Sequence, residues 1–473
     1  MKSSDALLEA WEKTLAQKRD APAIFSTSGE VVRTFDDVEQ RARDLLPSID
    51  AFREGDVLAV QVGSHEDWPS ILLGCLRRHL VVLPLEQSIS DQQRDEALAI
   101  CRVKAVVSAG PGGDFPKVLP LRTAAIMADW GENPPSLLKL TSGTTAAPRA
   151  IRFRSEHLLA DCNHICDTMG ITDADLNFGV IPISHSYGFS NLLTPLIARG
   201  IAMVLSRDRT PRAILADLVR GNATVFPGMP VFYQAFCEME DVPTLSKLRL
   251  CISAGAPLSI AMAKRFREKF NLPIHSFYGA SECGGICYDR EAANQNEGFV
   301  GEAMKSVRLE MADPKASATQ IRVRSAAVGD GYFPEPDEEK LGGGIFVPDD
   351  LLVRDKSGFK IVGRTSDVIN VAGKKVNPAE VEVHLLRFTG VRQAVVFGRE
   401  SASRNEEVAA CVVAAPDVSE VHLLQFCRGA LSTWQVPKRI FIVDAIPANE
   451  RGKISRRELS RRFSASRDRS SLP

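Results

Sequence analysis

The sequence predicts an α/β protein: a large N-terminal domain of flanked, mainly parallel sheets with a smaller antiparallel region, then a small α+β C-terminal domain. Three observations predict it. From about residue 55, β-rich runs alternate with helical patterns, the rhythm of parallel sheets buried under helices. After about residue 300 the strands shorten and alternate in hydropathy, as antiparallel strands do. Beyond GRTSD (363–367) a last block carries strand and helix signals of its own.

The elements follow in order. Residues 1–20 read as an amphipathic helix, with Ala6, Leu7, Trp11 and Leu15 on one stripe. DVLAVQV (56–62) is a strand, followed by a helix containing Trp68, Ile71, Leu72 and Cys75. HLVVLPL (79–85), a polar helix at 90–101 and the strand KAVVSA (104–109) repeat the unit. It returns as IAMVLS (201–206), RAILADLVRG (212–221), ATVFP, VFYQAFCEM and LRLCISAGAP. VRLEM and QIRVRS supply the antiparallel region, and the Gly-, Pro- and acid-rich stretch 329–344 reads as a surface loop. The last block has a helix from Pro378, the strands QAVVFG and EVAACVVAA, and the helix VHLLQFCRGAL. The predicted domains are therefore 1–364 and 365–473, with a disordered tail over about 464–473.

Composition sets the class. A chain of 473 residues exceeds what one core serves. A formal net charge of −1 gives no footprint for nucleic acid. No apolar run approaches the roughly 18 residues that span a bilayer, and the N-terminus lacks the apolar core of a signal peptide. A cytoplasmic protein is expected. The ten cysteines contain no CxxC pair and read as reduced, buried hydrophobes.

The chemistry-bearing stretch is LTSGTTAAPRAIRF (140–153). Strand-like flanks, LLKL and RAIRF, make it a hairpin loop, and the next helix starts only near Ser155, read as its N-cap. A Walker loop instead runs from a strand directly into a helix. Thr141, Ser142, Thr144 and Thr145 offer hydroxyls, Gly143 lets backbone amides approach a ligand, and Arg149 adds charge. On composition alone a flexible Ser/Thr turn fits equally well.

TSGTTAAPR resembles the signature [ST]SGTTGxPKG of the adenylate-forming superfamily of acyl-CoA synthetases, adenylation domains and luciferases. It departs at Ala146 and Ala150, where glycine is usual, and at Arg149, where lysine is usual. Further motifs follow in family order over nearly the whole chain. IPISHSYGFS (181–190) is similar to PLFHxxG and places His185 near the acyl carboxylate. This segment has no acidic residue to hold an α-ammonium, so the resemblance implies a fatty or aryl acid rather than an amino acid. CISAGAPLS (251–259) looks like the turn on adenine, through Gly255, Ala256 and Pro257. FYGASECGG (277–285) is similar to YGxTE: Tyr278 would stack on adenine, Gly279, Ala280 and Ser281 would line the nucleotide, and Glu282, with Thr145, would hold Mg²⁺.

Residues 346–367 resemble the TGDL…DG…GR block, with Pro348-Asp349 replacing Thr-Gly. Asp350 would accept the ribose hydroxyls and Arg364 would contact ribose or phosphate, with Ser366 as the hinge. VINVAGKKVNPAEVE (368–382) looks like the loop that meets the thiol donor, through Gly373 and Lys374. IPANERGKISRREL (446–459) is similar to PxTxxGKIxRxxL and assigns Lys453 to bridge the carboxylate and the α-phosphate.

The resemblance implies a mobile C-terminal domain and an AMP-forming ligase that uses ATP, Mg²⁺ and coenzyme A, with AMP as product. Two alternatives stay open: an acyl-AMP ligase that loads a carrier-protein phosphopantetheine, and a catalytically weak nucleotide-binding paralogue. Tyr187, Asn191, Val231 and Ile286 are candidates to line the acid pocket by their nearness to these motifs.

Overall fold

The computed structural model describes residues 5–110, 115–121, 128–141, 149–294, 296–316, 318–371, 374–401, 405–447 and 454–464. The chain divides into two compact units: one of Met1–Glu310, Arg322–Pro348 and Asp355–Lys360, the other of Met311–Ile321, Asp349–Arg354 and Ile361–Pro473. The class is the α/β class expected.

The larger unit is built mainly on two sheets, beside a small antiparallel one that holds Leu341–Gly342 and Ile345–Phe346. In the first, Pro22–Phe25, Ala202–Leu205, Leu176–Gly179, Val225–Gly228, Leu250–Ser253 and Ile274–Ala280 lie side by side and parallel. Gly284–Tyr288 and Phe299–Ala303 continue it antiparallel. Its central strands are apolar throughout: Leu250–Ser253 and Val225–Gly228 are buried at every residue. Burial on both faces requires this composition. One face carries an aromatic core of Phe178, Phe226, Tyr233, Phe236 and Phe266. In the second sheet, Leu137–Leu140, Val81–Pro84, Val57–Gln61 and Val103–Ser108 run parallel. Ala150–Phe153 and Gly331–Phe333 close one edge antiparallel, and Lys117–Pro120 closes the other.

The N-terminal helix Ala6–Lys18 buries Leu7, Trp11 and Leu15, as its stripe requires. Trp11 Nε1 donates to Glu39 Oε2 at 2.9 Å, and Arg77 and Arg43 pair with the same carboxylate at 2.6 and 2.7 Å. These bonds fix the first helix to the helix Phe35–Ile49, an element the sequence pattern had not marked.

The smaller unit holds an antiparallel sheet of Lys374–Val376, Ile369–Val371, Asn405–Ala414 and Val391–Ser401, with Arg439–Ile442 parallel to Asn405–Ala414. Helices Pro378–Leu385 and Glu420–Arg428 pack in one core, with Val396, Val408 and Val412 of the sheet. Leu459 of the helix Arg456–Ser464 packs in a second core, with Phe397, Ala409 and Cys411.

Two expectations are corrected. The stretch 329–344 is not simply a surface loop: Gly331–Phe333 is a strand, opposite Ala150–Arg152, and Tyr332 is 2% exposed. The N-cap of helix Ser155–Met169 is Arg154, whose backbone is extended, while the Ser155 hydroxyl donates to Asp5 and shares a hydrogen bond with the Ser136 hydroxyl. All ten cysteines are free and buried. Among the described residues no helix is long and apolar enough to cross a membrane.

Candidate active site

The strands that flank the hydroxyl-rich stretch pair with each other, as the sequence requires of a hairpin. Leu137–Leu140 and Ala150–Phe153 pair antiparallel with Leu140 opposite Ala150. Thr141 closes it: its backbone N and its Oγ1 both donate to Arg149 O, at 2.8 and 3.1 Å. Ser142, Gly143, Thr144 and Thr145, and Ala146 beside them, lie outside the described residues.

Arg149 is held by two groups. Its guanidinium lies 4.2 Å from the centroid of the Tyr332 ring and pairs with Asp337 at 3.6 Å. A planar cation suits that stacking; an ammonium has no such plane. Tyr332 in turn donates from its hydroxyl to Glu282 Oε1 at 3.0 Å. Burial, then the charge and bond of Glu282, push the Tyr332 phenol above its ordinary range, so it stays a donor. Gly329 N donates to Glu282 O at 3.0 Å, which fixes the backbone at the same point.

Glu282 sits on the tight turn between Ile274–Ala280 and Gly284–Tyr288. The turn needs its glycines. A Cβ on Gly279 would lie 2.7 Å from Gly284 O, and one on Gly284, whose φ is +68°, would meet Asp161 at 1.9 Å. Asp161 Oδ1 accepts from Gly285 N at 2.9 Å. Tyr278 is buried, Gly279 is exposed, and Ala280 and Ser281 are half-buried.

His185 stands on the neighbouring turn. Its Nδ1 accepts from Tyr187 N at 3.1 Å, so a neutral ring carries its proton on Nε2. Ser186 Oγ donates to Ser281 Oγ at 3.1 Å and ties this turn to the Tyr278–Glu282 turn. Gly188 permits the approach, since a Cβ there would lie 2.1 Å from Pro182 O. The chain continues into a π-helical turn, Phe189–Leu193, an irregularity frequent at functional sites. Gly255, Ala256 and Pro257 are exposed beyond the end of Leu250–Ser253, with Gly255 at φ +84°. These groups gather at the carboxyl ends of parallel strands, where ligands of open α/β sheets bind.

Sequence reasoning missed three neighbours. Asp161 reads as one polar residue of an amphipathic helix. Tyr332 lies in an apparent loop. Lys139 is buried, its ammonium 4.7 and 5.5 Å from the ring centroids of Phe153 and Phe189. Burial lowers its pKa, opposed by the charges of Asp161, Cys283 and Glu282. A lysine inside the apolar run LLKL was the available signal.

A cavity of about 430 Å³ opens beside the His185 turn, lined by Ser184, Ser64, Gln87, Arg207, Arg209 and His65. His65 Nδ1 accepts from Asp67 N at 3.2 Å, and its buried Nε2 has no partner. Burial lowers the pKa of this ring.

Within the smaller unit, Arg364 Nε donates to Asp350 Oδ1 at 2.7 Å, so these two expected ribose contacts are neighbours. Ser366 lies in a 3₁₀ turn, Thr365–Asp367. The Lys374 ammonium lies 3.6 Å from the Trp434 ring centroid. Gly373 and Lys453 lie outside the described residues. Arg456, three residues past Lys453, was not singled out from the sequence. It donates to Asp367 Oδ2, Glu382 Oε1 and Val396 O at 2.7, 2.7 and 2.9 Å.

Among the described residues no three His, Cys, Asp or Glu side chains converge to hold a metal ion. A single carboxylate at Glu282 nevertheless suits Mg²⁺, which takes one or two protein carboxylates and completes its shell with phosphate oxygens and water.

A family model described as AMP-binding enzyme matches residues 11–333. A second, AMP-binding enzyme C-terminal domain, matches residues 380–453. Among curated relatives, "Probable CoA ligase CCL9" of Humulus lupulus is 27% identical, over 98% of this chain and 97% of its own. Oxalate–CoA ligase of Arabidopsis thaliana is 25% identical, over 97% and 99%. Feruloyl-CoA synthase of an Amycolatopsis species is 26% identical, over 92% and 95%. Among solved structures, ATP-bound MatB from Rhodopseudomonas palustris superposes with a TM-score of 0.83, covering 96% of this chain and 98% of its own at 23% identity, a likeness of fold.

Proposed function

This chain belongs to the family of AMP-binding enzymes, and from that premise we propose that it activates a fatty or aryl carboxylic acid with ATP and passes the acyl group to coenzyme A. A carboxylate is a poor electrophile, because its leaving group is oxide. Attack of a carboxylate oxygen on the α-phosphorus of ATP forms the acyl-adenylate and breaks the α–β anhydride, releasing pyrophosphate. Attack of the CoA thiolate on the acyl carbon then forms the thioester and releases AMP.

Both first-step reactants are anions, so the site must hold them together against repulsion. His185, with its proton on Nε2, is a donor for the acid's carboxylate. Lys453 is the proposed bridge between that carboxylate and the α-phosphate. The loop hydroxyls of Ser142, Thr144 and Thr145 and the amide of Gly143 take the outer phosphates, while Gly255, Ala256, Pro257 and Tyr278 take the base. Asp350 and Arg364 take the ribose. Mg²⁺, when bound by Glu282 and Thr145, neutralises charge on the departing pyrophosphate. Alignment of two bound reactants is worth on the order of 7–11 kcal/mol, so no protein nucleophile is needed.

For the second step we propose that residues 365–473 turn about Ser366, so that Lys453 leaves and the Gly373–Lys374 loop enters. The cavity carries Arg207, paired with Glu66, and Arg209 opposite Glu86, and the Arg209 cation suits a phosphorylated acceptor. CoA rather than a carrier protein is the acceptor we favour, since the relatives are named as CoA ligases or synthases. Ten unpaired cysteines suit the reducing cytoplasm.

The observation that carries this reading is the Ser186–Ser281 bond. With Tyr332–Glu282 and Arg149–Tyr332 it draws three sequence-distant motifs into one place. The test is pyrophosphate release from ATP with a panel of carboxylic acids, with and without CoA. Acid-dependent release, with thioester formed only when CoA is present, is expected. Release with no acid of the panel would overturn the reading.

A further inference from the structure

Lys139 lies on the strand Leu137–Leu140, just before Thr141 and the hydroxyl loop, and is 6% exposed. Three sequence-distant segments meet around it. Its ammonium is 4.7 Å from the ring centroid of Phe153, on the other arm of the hairpin, and 5.5 Å from that of Phe189. Phe189 N donates to His185 O at 2.8 Å, so the second ring belongs to the His185 turn. Burial works against the charge of Lys139, while Asp161, Cys283 and Glu282 favour it, the last two from the turn that carries the proposed Mg²⁺ ligand. Among the described residues the ammonium has no hydrogen bond and no ion pair.

Burying a cation without a carboxylate partner is costly, and aromatic faces offset only part of that cost. A methionine would fill the same slot without it, as the leucines on either side of Lys139 fill theirs. Charged groups held at such a cost cluster at functional sites. The electrostatics here show what the charge can do. Glu282 and Asp161 bring negative charge to the turn where the outer phosphates of ATP are placed, and Mg·ATP is itself an anion. Arg149 does not balance them freely, because its guanidinium pairs with Asp337. Lys139 is held by no such pair. It needs no contact with the nucleotide: at an effective dielectric constant of about 20, one unit charge changes an equilibrium roughly tenfold across about 10 Å.

We infer that Lys139 is a positioning residue of the nucleotide site: from the strand that leads into the hydroxyl loop, its buried, unpaired ammonium supplies a fixed positive field that holds the outer phosphates of Mg·ATP at the Glu282 turn, at the expense of stability. This deepens the ligase reading and rests on its placement of the nucleotide.

The test is calorimetric titration of Mg·ATP and of AMP into the full chain and into Lys139→Met, with the KM for ATP in pyrophosphate release and the apparent Tm read on the same proteins. Lys139→Met should weaken Mg·ATP by about tenfold or more, the reach of one charge at this range. AMP should weaken far less, because it lacks the outer phosphates, and the KM for ATP should rise in step with the Mg·ATP titration. The apparent Tm should rise, since an apolar side chain replaces a buried charge. Lys139→Gln, neutral but polar, is the second variant and should weaken Mg·ATP as much. A merely structural role gives the reverse pattern: a lower Tm, with Mg·ATP and AMP weakened alike. That pattern, or Mg·ATP affinity unchanged in both variants, would overturn the inference. An unaltered protein that binds Mg·ATP but releases no pyrophosphate with any acid would instead sink the ligase reading, while the titrations still read the role of Lys139.

Discussion

Tyr332 donates a 3.0 Å hydrogen bond to Glu282, from a strand fifty residues further along the chain. The bond joins the edge of one sheet to the turn that ends a strand of the other, and Arg149 stacks on the back of the same ring. It gives Glu282 a fixed direction and explains how an arginine stands where the family signature has lysine.

Removing that hydroxyl should loosen Glu282 without deleting it. A hydrogen bond to a charged group is worth about 1.5–3 kcal/mol, so Tyr332→Phe should raise the Mg²⁺ concentration for half-maximal pyrophosphate release by roughly tenfold. Binding of Mn²⁺ in the presence of ATP, followed by electron paramagnetic resonance, should weaken in step. Unchanged metal dependence would separate Tyr332 from the proposed role of Glu282.

Lys453→Ala should lose acyl-adenylate formation by at least about a hundredfold, the scale of a lost electrostatic contact to a transition state. The same variant should still convert a supplied acyl-adenylate and CoA to thioester. Assay of the two half-reactions separately checks this, and unimpaired adenylation would remove Lys453 from the bridge.

Arg456→Met should destabilise the smaller unit by about 2 kcal/mol, because Asp367 and Glu382 lose a charged hydrogen-bond partner. Hydrogen exchange should show the loss at Ile369–Val371 and Pro378–Leu385 while the larger unit stays protected.

Glu39→Ala should cost about 3 kcal/mol at neutral pH, since it strands Arg77 and the Trp11 indole. Burial alone would raise the pKa of Glu39, but its bonds to Arg77, Trp11 and Arg43 outweigh this and hold it below 4.5. A folded-state pKa below the unfolded one means stability fully present above pH 4.5 and lost as pH falls through the folded value. The gap between the variant and the parent in denaturant unfolding should therefore shrink under acid.

Much of this was legible in the sequence where pattern and burial coincide. The strands Val57–Gln61, Ala202–Leu205 and Val225–Gly228 are almost wholly apolar because they are covered on both faces, so period and composition agree. The hairpin around Thr141 and Arg149 was legible from its strand-like flanks. Tyr332 was not, because Gly, Pro and acids surround it and its strand exists only by pairing with Ala150–Arg152. Arg456 was hidden in a basic run that normally faces solvent. Nearness to a motif also fails to give side-chain direction: of the four residues chosen that way, Val231 is 50% exposed and Ile286 is fully buried. Asn191 carried no signal that its side-chain Nδ2 would donate to Tyr187 O, as it does at 3.0 Å.

The most direct measurement is exchange of labelled pyrophosphate into ATP. The account predicts exchange that requires a carboxylic acid and Mg²⁺ and proceeds without CoA, because the adenylate forms before any thiol is needed. Exchange that is absent with every acid, or that appears only when CoA is added, would contradict it.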